Sequence, residues 1–427
     1  MARINIVVPR FEPLTFTGGM WCIMEYGWGL MQRGHEVKII PVVASPRPRW
    51  FDKPGLEVVT GAQGRRLSSA LRKTLRFVYE GVQRVLLHKR GTADSGREMI
   101  AACLLATNPA LYPIEVDMAA RLMYLRRVIP PADITLATSY VTALPVRLFG
   151  QGRLFYFAQH YEILFKDESG DPCLAGAEAE ATYNVGLNMI ANSGWLQQKL
   201  QARVPASEVH LCPNAINHDT FSGIPKRREA AHEVRVISYG GRGARWKGFE
   251  EMAEAVKIAR NLLPGTNVRW LVYGKASFPP RNPVADYEPL GFLNPPLLAK
   301  AYTTSDILLS ASWYESFPLF PIEAMACGLP VVTTQPGTEE YAIPGETAEV
   351  VEPRDPQSIA KGLIHLIQDR DYAAKIAAAG WEISKEFTWE RSVGRMESIL
   401  LGKGTPQPAA VQIKDSPATR EPSRGRA

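Results

Sequence analysis

Short apolar runs alternate with longer amphipathic stretches along most of the chain, the pattern of strand–helix units and parallel sheets. In the first half, runs at 3–8 (RINIVV), 36–42, 133–137, 154–158 (LFYFA) and 187–191 predict strands, with helices over 20–33 and 115–127. A second series predicts strands over 234–239 (VRVISY), 268–273, 306–311, 330–334 and 347–351. It interleaves them with helices over 247–263, 295–303, 321–327, 356–368 and 371–387. The periodicity breaks at 213–233, where Pro213, Pro225 and a polar run intervene. The expected architecture is α/β, with Rossmann-like domains over 1–212 and 234–388 joined by a linker at 213–233. The segment 402–427 has almost no core formers and is expected to be disordered.

Composition narrows the class. A chain of 427 residues suits two domains of about 150–200 residues each. No apolar run approaches the roughly 18–20 residues of a membrane span. The start is interrupted too early for a signal peptide and reads as a first strand, so a cytoplasmic location is expected. The five cysteines are scattered without a CxxC, as buried thiols in a reducing compartment would be.

The net charge of +6 is unevenly placed: residues 65–90 carry eight Lys/Arg against one Glu, and the tail 402–427 carries five against two. The remainder is net acidic, which argues against a nucleic-acid partner. Within 65–90, Leu67, Leu71, Leu75, Val78, Val82 and Val85 fall on one helical face. Two readings stand: a packed helix with a solvated outer side, or an amphipathic helix that attaches the protein to an anionic membrane surface. The second would place the protein peripherally at the inner face of the plasma membrane.

Candidate chemistry lies in the second series. Residues 315–332 read ESFPLFPIEAMACGLPVV, two glutamates separated by seven residues that are apolar or proline apart from one serine. Pro321 suits the first turn of a helix, which would put Glu323 in the same turn, favoured by the helix dipole. Glu315 falls in the loop after a strand. Both therefore sit at the carboxyl edge of the sheet, where open α/β folds bind ligands. Carboxylates there can accept hydrogen bonds from sugar or ribose hydroxyls, and exposed N–H groups can receive phosphate oxygens. Taken alone, the pair is equally explained by a helix N-terminal charge and a solvated loop residue.

Upstream, GGRGARWKGF at 240–249 follows a strand, and Arg242 and Lys247 emerge from a glycine-rich connection that includes Gly241. Two cations on such a loop form a site for a diphosphate, although no P-loop pattern is present.

The string GR-x4-KG, followed some seventy residues later by E-x7-EAMA-x-G-x-PVV, resembles the donor-binding signature of the family 4 retaining glycosyltransferases. Gly18-Gly19 after the first strand, RGHEV at 33–37, His160 at the end of LFYFA, Pro213-Asn214 with Phe221, and the closing EFTWERSV resemble that family in the same order. The resemblance implies the GT-B fold, two Rossmann-like domains facing each other across a cleft, with a last helix at about 389–401 that returns to the first domain. It implies a retaining hexosyl or deoxyhexosyl transfer from a nucleotide-diphosphate sugar to a glycan or lipid-linked acceptor, with no cofactor and no metal. Glu323 would bind the ribose and Glu315 the donor sugar. Arg242 and Lys247 would neutralise the diphosphate, Gly18 and Gly19 would let backbone approach it, and His160 would contact the sugar. The stretches YFAQHYEILF, TYN at 182–184 and SGWL at 193–196 resemble a rhamnosyltransferase-like branch.

Two positions depart from the family pattern: Ser316 and Pro318 stand where glycines are common. Pro318 has no N–H, so backbone donors to phosphate would come from Phe317, Leu319 or their neighbours. Asp369-Arg370-Asp371 is a formal DxD, but Asp371 is expected to cap a helix rather than to hold a metal. Competing classes are a sugar-nucleotide isomerase or hydrolase on the same fold, and a non-enzymatic scaffold in polysaccharide assembly.

Overall fold

The computed structural model describes residues 1–11, 17–43, 45–59, 122, 124–164, 174–225, 232–241, 244–274 and 285–403. The basic stretch 65–90, Arg242 and the tail beyond Lys403 lie outside the described residues.

In the first domain, seven parallel strands make one sheet: β1 (Arg3–Val8), β2 (Glu36–Pro41), β3 (Glu57–Val58), β4 (Ile134–Ala137), β5 (Arg153–Ala158), β6 (Asn188–Ala191) and β7 (Val209–Leu211). Their order is β3-β2-β1-β4-β5-β6-β7. Central strands such as β4 are buried throughout, which is why they read as mainly apolar runs. Helices α1 (Gly18–Gln32), α2 (Tyr140–Phe149), α3 (Leu174–Tyr183) and α4 (Gly194–Gln201) connect them.

The second domain carries β8 (Glu233–Tyr239), β9 (Asn267–Tyr273), β10 (Glu288–Gly291), β11 (Ile307–Ser310), β12 (Val331–Thr334) and β13 (Glu349–Val351), in the order β10-β9-β8-β11-β12-β13. Its helices are α5 (Phe249–Leu262), α6 (Pro295–Thr304), α7 (Leu319–Ala326), α8 (Pro356–Gln368) and α9 (Arg370–Ser384). In each sheet the strand order reverses once, between β1 and β4 and between β8 and β11. Such switch points open a crevice at the carboxyl ends of the strands.

The segment after β7 is packed rather than loose. Ile216 and Phe221 are buried in the core of the second domain, and Ile216 pairs with Thr388. The last helix, α10 (Trp389–Leu401), returns to the first domain, where Val393, Met396, Ile399 and Leu400 join the core around α1. Contact is close: a Cβ on Gly29 would lie 2.5 Å from Val393 Cγ2. Glu397 completes the joint, accepting from Arg33 Nε at 2.6 Å and lying 3.0 Å from His35 Nε2.

The cap of α9 is Asp369, whose carboxylate accepts from the Tyr372 N–H at 2.9 Å; Asp371 lies in the first turn and does not cap. The expectation for Asp371 was off by two residues, because either aspartate of the DxD offers the same short acceptor and only backbone geometry selects one. Among the described residues, no helix is long and apolar enough to cross a membrane. Cys22, Cys212 and Cys327 are buried thiols.

Candidate functional site

The loop after β8 ends in a single 3-10 turn, Arg245–Lys247, followed by Gly248 in the left-handed region at φ 70°. A Cβ there would sit 1.9 Å from the Ala311 carbonyl oxygen, so only glycine lets this turn lie against the end of β11. The Trp313 N–H donates to the Trp246 carbonyl at 2.7 Å, pinning the two loops together. That approach brings Lys247 Nζ onto Glu315 Oε1, an ion pair in which both side chains are three-quarters or more buried.

Glu315 is held from three sides. Ser312 Oγ donates to Oε1 at 3.0 Å, and the Glu315 N–H donates to the Pro336 carbonyl at 3.2 Å. Gly337, at φ 86°, passes so near that a Cβ would lie 2.4 Å from the Glu315 carbonyl oxygen.

Helix α7 starts at Leu319, with Pro318 as its N-cap. Pro321 is in the first turn, but Glu323 is the fifth residue and lies beyond it. Burial, not the helix dipole, therefore governs this carboxyl, and it is pushed up to about 8. Only 8% of Glu323 is exposed, and its carboxyl has no hydrogen-bond or ion-pair partner among the described residues. A largely buried carboxylate is costly unless hydrogen-bond donors pair with it. Its charge reaches Tyr273, Tyr302 and, across the domain boundary, Cys22 of α1.

The first domain supplies the facing wall. His160 follows β5, its ring 6.4 Å from Trp246 and 6.0 Å from Tyr314. Burial holds its imidazole below the ordinary value; Lys247 adds to that and Glu315 opposes it. Histidine, lysine and glutamate from two domains thus sense one another. Gly18 and Gly19 open α1, capped by Thr17. A Cβ on Gly18 would lie 3.4 Å from Leu319 Cδ1 and one on Gly19 3.7 Å from Gln159 Cβ, so the chain itself does not demand glycine there. Space beside a helix N-terminus suits an anion.

The structure thus groups Lys247, Glu315, Glu323, His160, Gly18 and Leu319 around the domain boundary. Phe317 is different: its ring is buried against Tyr341 and Phe387, so only its backbone can serve a ligand. Gly241 is buried at φ 75° beside Arg242, which lies outside the described residues.

Sequence reasoning gave no role to Trp246 and Tyr314, which stack with ring centroids 6.2 Å apart beside His160. Trp246 was visible within the glycine-rich string, but nothing there marked it. Glu340 was missed as well; it accepts from the Gly194 N–H of the first domain, and burial raises its carboxyl to about 7.

Residues 223–382 match the sequence model of the family described as Glycosyl transferases group 1. The chain is 29% identical over 287 residues to the O-antigen biosynthesis protein RfbC of Myxococcus xanthus; the alignment covers 66% of this chain but 22% of that protein. The fold is similar to sucrose-phosphate synthase from Thermosynechococcus elongatus, with a TM-score of 0.65 at 17% identity over 94% of this chain and 99% of that one. It is also similar to Anabaena HepE in complex with UDP and glucose, with a TM-score of 0.59 at 15% identity over 94% of this chain and all of that one. Residues 223–382 are thus similar to the group 1 glycosyl transferases, and the two facing Rossmann-like domains have the GT-B fold.

Proposed function

We propose that this protein is a retaining glycosyltransferase that moves a hexose or deoxyhexose from a nucleotide-diphosphate donor to a glycan or lipid-linked acceptor in cell-surface polysaccharide synthesis. One observation carries the reading: the Lys247–Glu315 pair and the partnerless Glu323 carboxyl lie at the carboxyl edge of the second sheet, opposite His160. Glu323 would accept from the ribose hydroxyls, and Glu315 from the donor sugar. Lys247, with Arg242, would neutralise the departing diphosphate. The Gly18–Gly19 backbone would approach the phosphate. The departing phosphate would take the acceptor's proton, so no side chain acts as nucleophile and no metal is needed. RfbC, named for O-antigen biosynthesis, and HepE, seen with UDP and glucose, support the polysaccharide context and the donor class.

The test is a thermal-shift screen of the full chain against UDP, GDP and dTDP sugars, since a ligand of the native state raises apparent stability. One nucleotide class should shift the wild type, and Glu323→Gln should lose most of that shift. A wild type unmoved by all of them overturns the donor assignment.

A further inference from the structure

Among the described residues, hydrogen bonds from Tyr314, Ser316 and Gly194 cross the domain boundary beside this site. Tyr314 Oη donates to the Leu164 carbonyl at 3.3 Å, Ser316 Oγ donates to Asn192 Oδ1 at 2.7 Å, and the Gly194 N–H donates to Glu340 Oε1. The last two converge on one turn, Asn192–Gly194, which leads from β6 into the first residue of α4. Ser316 and Asn192 are 3% and 1% exposed, so their bond is made away from water.

The turn reaches in two directions. On one side Ser316 ties it to the loop that carries Glu315, and Glu340 ties it to the segment after β12, whose Pro336 carbonyl accepts from the Glu315 N–H. On the other, Asn192 Nδ2 lies 3.4 Å from the carbonyl of Gln159, the residue before His160. Ser193 Oγ already caps α4 by accepting from the Leu196 N–H at 3.1 Å. Glu340 therefore adds a second acceptor, from the other domain, at a helix end whose dipole favours a carboxylate. An interface that only buried apolar area would need neither of these directional bonds. Ser316, which departs from the glycine of the resembling pattern, uses its hydroxyl here.

We infer that Ser316 and Glu340 are positioning residues: they latch the Glu315 loop and the Pro336–Glu340 segment bonded to it onto the Asn192–Gly194 turn, so that Glu315 and Lys247 come into register with His160 only when the domains are docked. Neither residue acts on the reacting atoms. The inference rests on the cleft being the nucleotide-sugar site proposed above, but its first readout does not.

The test uses the full chain with Glu340→Ala, Glu340→Gln, Ser316→Ala, Asn192→Ala and the Ser316→Ala/Asn192→Ala double variant. Small-angle scattering without ligand reads domain docking. Calorimetry with UDP, GDP and dTDP reads nucleotide affinity, and donor kinetics separate KM from kcat. Glu340→Ala and Ser316→Ala should each enlarge the maximum dimension. Each should weaken nucleotide binding and raise the donor KM about five- to tenfold, the equivalent of one hydrogen bond, with kcat at saturation little changed. Glu340→Gln keeps the acceptor oxygen and should restore docking, and the double variant should be no worse than either single one.

Scattering and affinity unchanged in Glu340→Ala and Ser316→Ala would overturn the latch. So would strictly additive losses in the double variant with no rescue by Glu340→Gln. A wild type that binds no nucleotide would refute the donor reading, and scattering would still decide the latch.

Discussion

Two carboxyls and one amine carry most of what can be tested at single residues. Lys247 sits on Glu315 in a largely buried pair, and the proposed function makes it a cation that meets the departing diphosphate. Lys247→Ala should lower turnover by about 10²–10³, as removal of one such donor does; unchanged steady-state turnover would take Lys247 out of the mechanism. Glu323 makes a different forecast. Its carboxyl ionises near 4.5 in the unfolded chain and near 8 when buried, so the folded state holds a proton that the unfolded state has lost between those values. Stability therefore falls as pH rises from about 4.5 to about 8 and is level above. Glu323→Gln, free of this term, should match the wild type at pH 4.5. At pH 8 it should be more stable by on the order of a few kcal/mol in urea denaturation without nucleotide. Equal stabilities at pH 8 would show that the carboxyl is not suppressed by burial.

At the scale of elements, the long buried strands were readable because burial on both faces leaves a mainly apolar run, as in RINIVV, broken only by Asn5 after its first residue, and LFYFA. The edge strand β13 was read as part of 347–351, but β3 and β10 were not. β3 has two residues, and β10 is largely exposed and contains Pro289, so neither develops a period. The start of α7 was misplaced because proline is tolerated anywhere in a first turn, and Pro321 is its third residue rather than its first. In the site, Glu315 and Lys247 were legible as parts of one string pattern. Ser316 was noted only as a departure, since its partner Asn192 lies 124 positions away in the other domain. The joint of α1 with α10 gives its own test. Alanine at Gly29 would gain about 0.5–1 kcal/mol of helix preference but would force its Cβ into Val393. Overpacking costs about 1–3 kcal/mol, so Gly29→Ala should destabilise the protein, and Val393→Ala in the same background should recover part of the loss. A higher urea midpoint for Gly29→Ala alone would contradict the packing.

For the whole molecule, the question is whether it meets a membrane surface. The stretch 65–90, with its eight basic residues and one glutamate, lies outside the described residues, and its apolar face over Leu67–Val85 is read from sequence alone. If it binds anionic lipid, the full chain should float with vesicles containing phosphatidylserine and stay behind with neutral ones, and salt should reverse the binding. Flotation that ignores lipid charge would exclude the electrostatic form of attachment.

The chain passes between its halves twice, once after β7 and once before α10, and the two passages are bound to each other where the Ile216 N–H meets the Phe387 carbonyl at 3.2 Å. A single strand would let the halves swivel and slide in any direction. A doubled tether limits sliding, so any movement of one half against the other would have to pivot close to this joint.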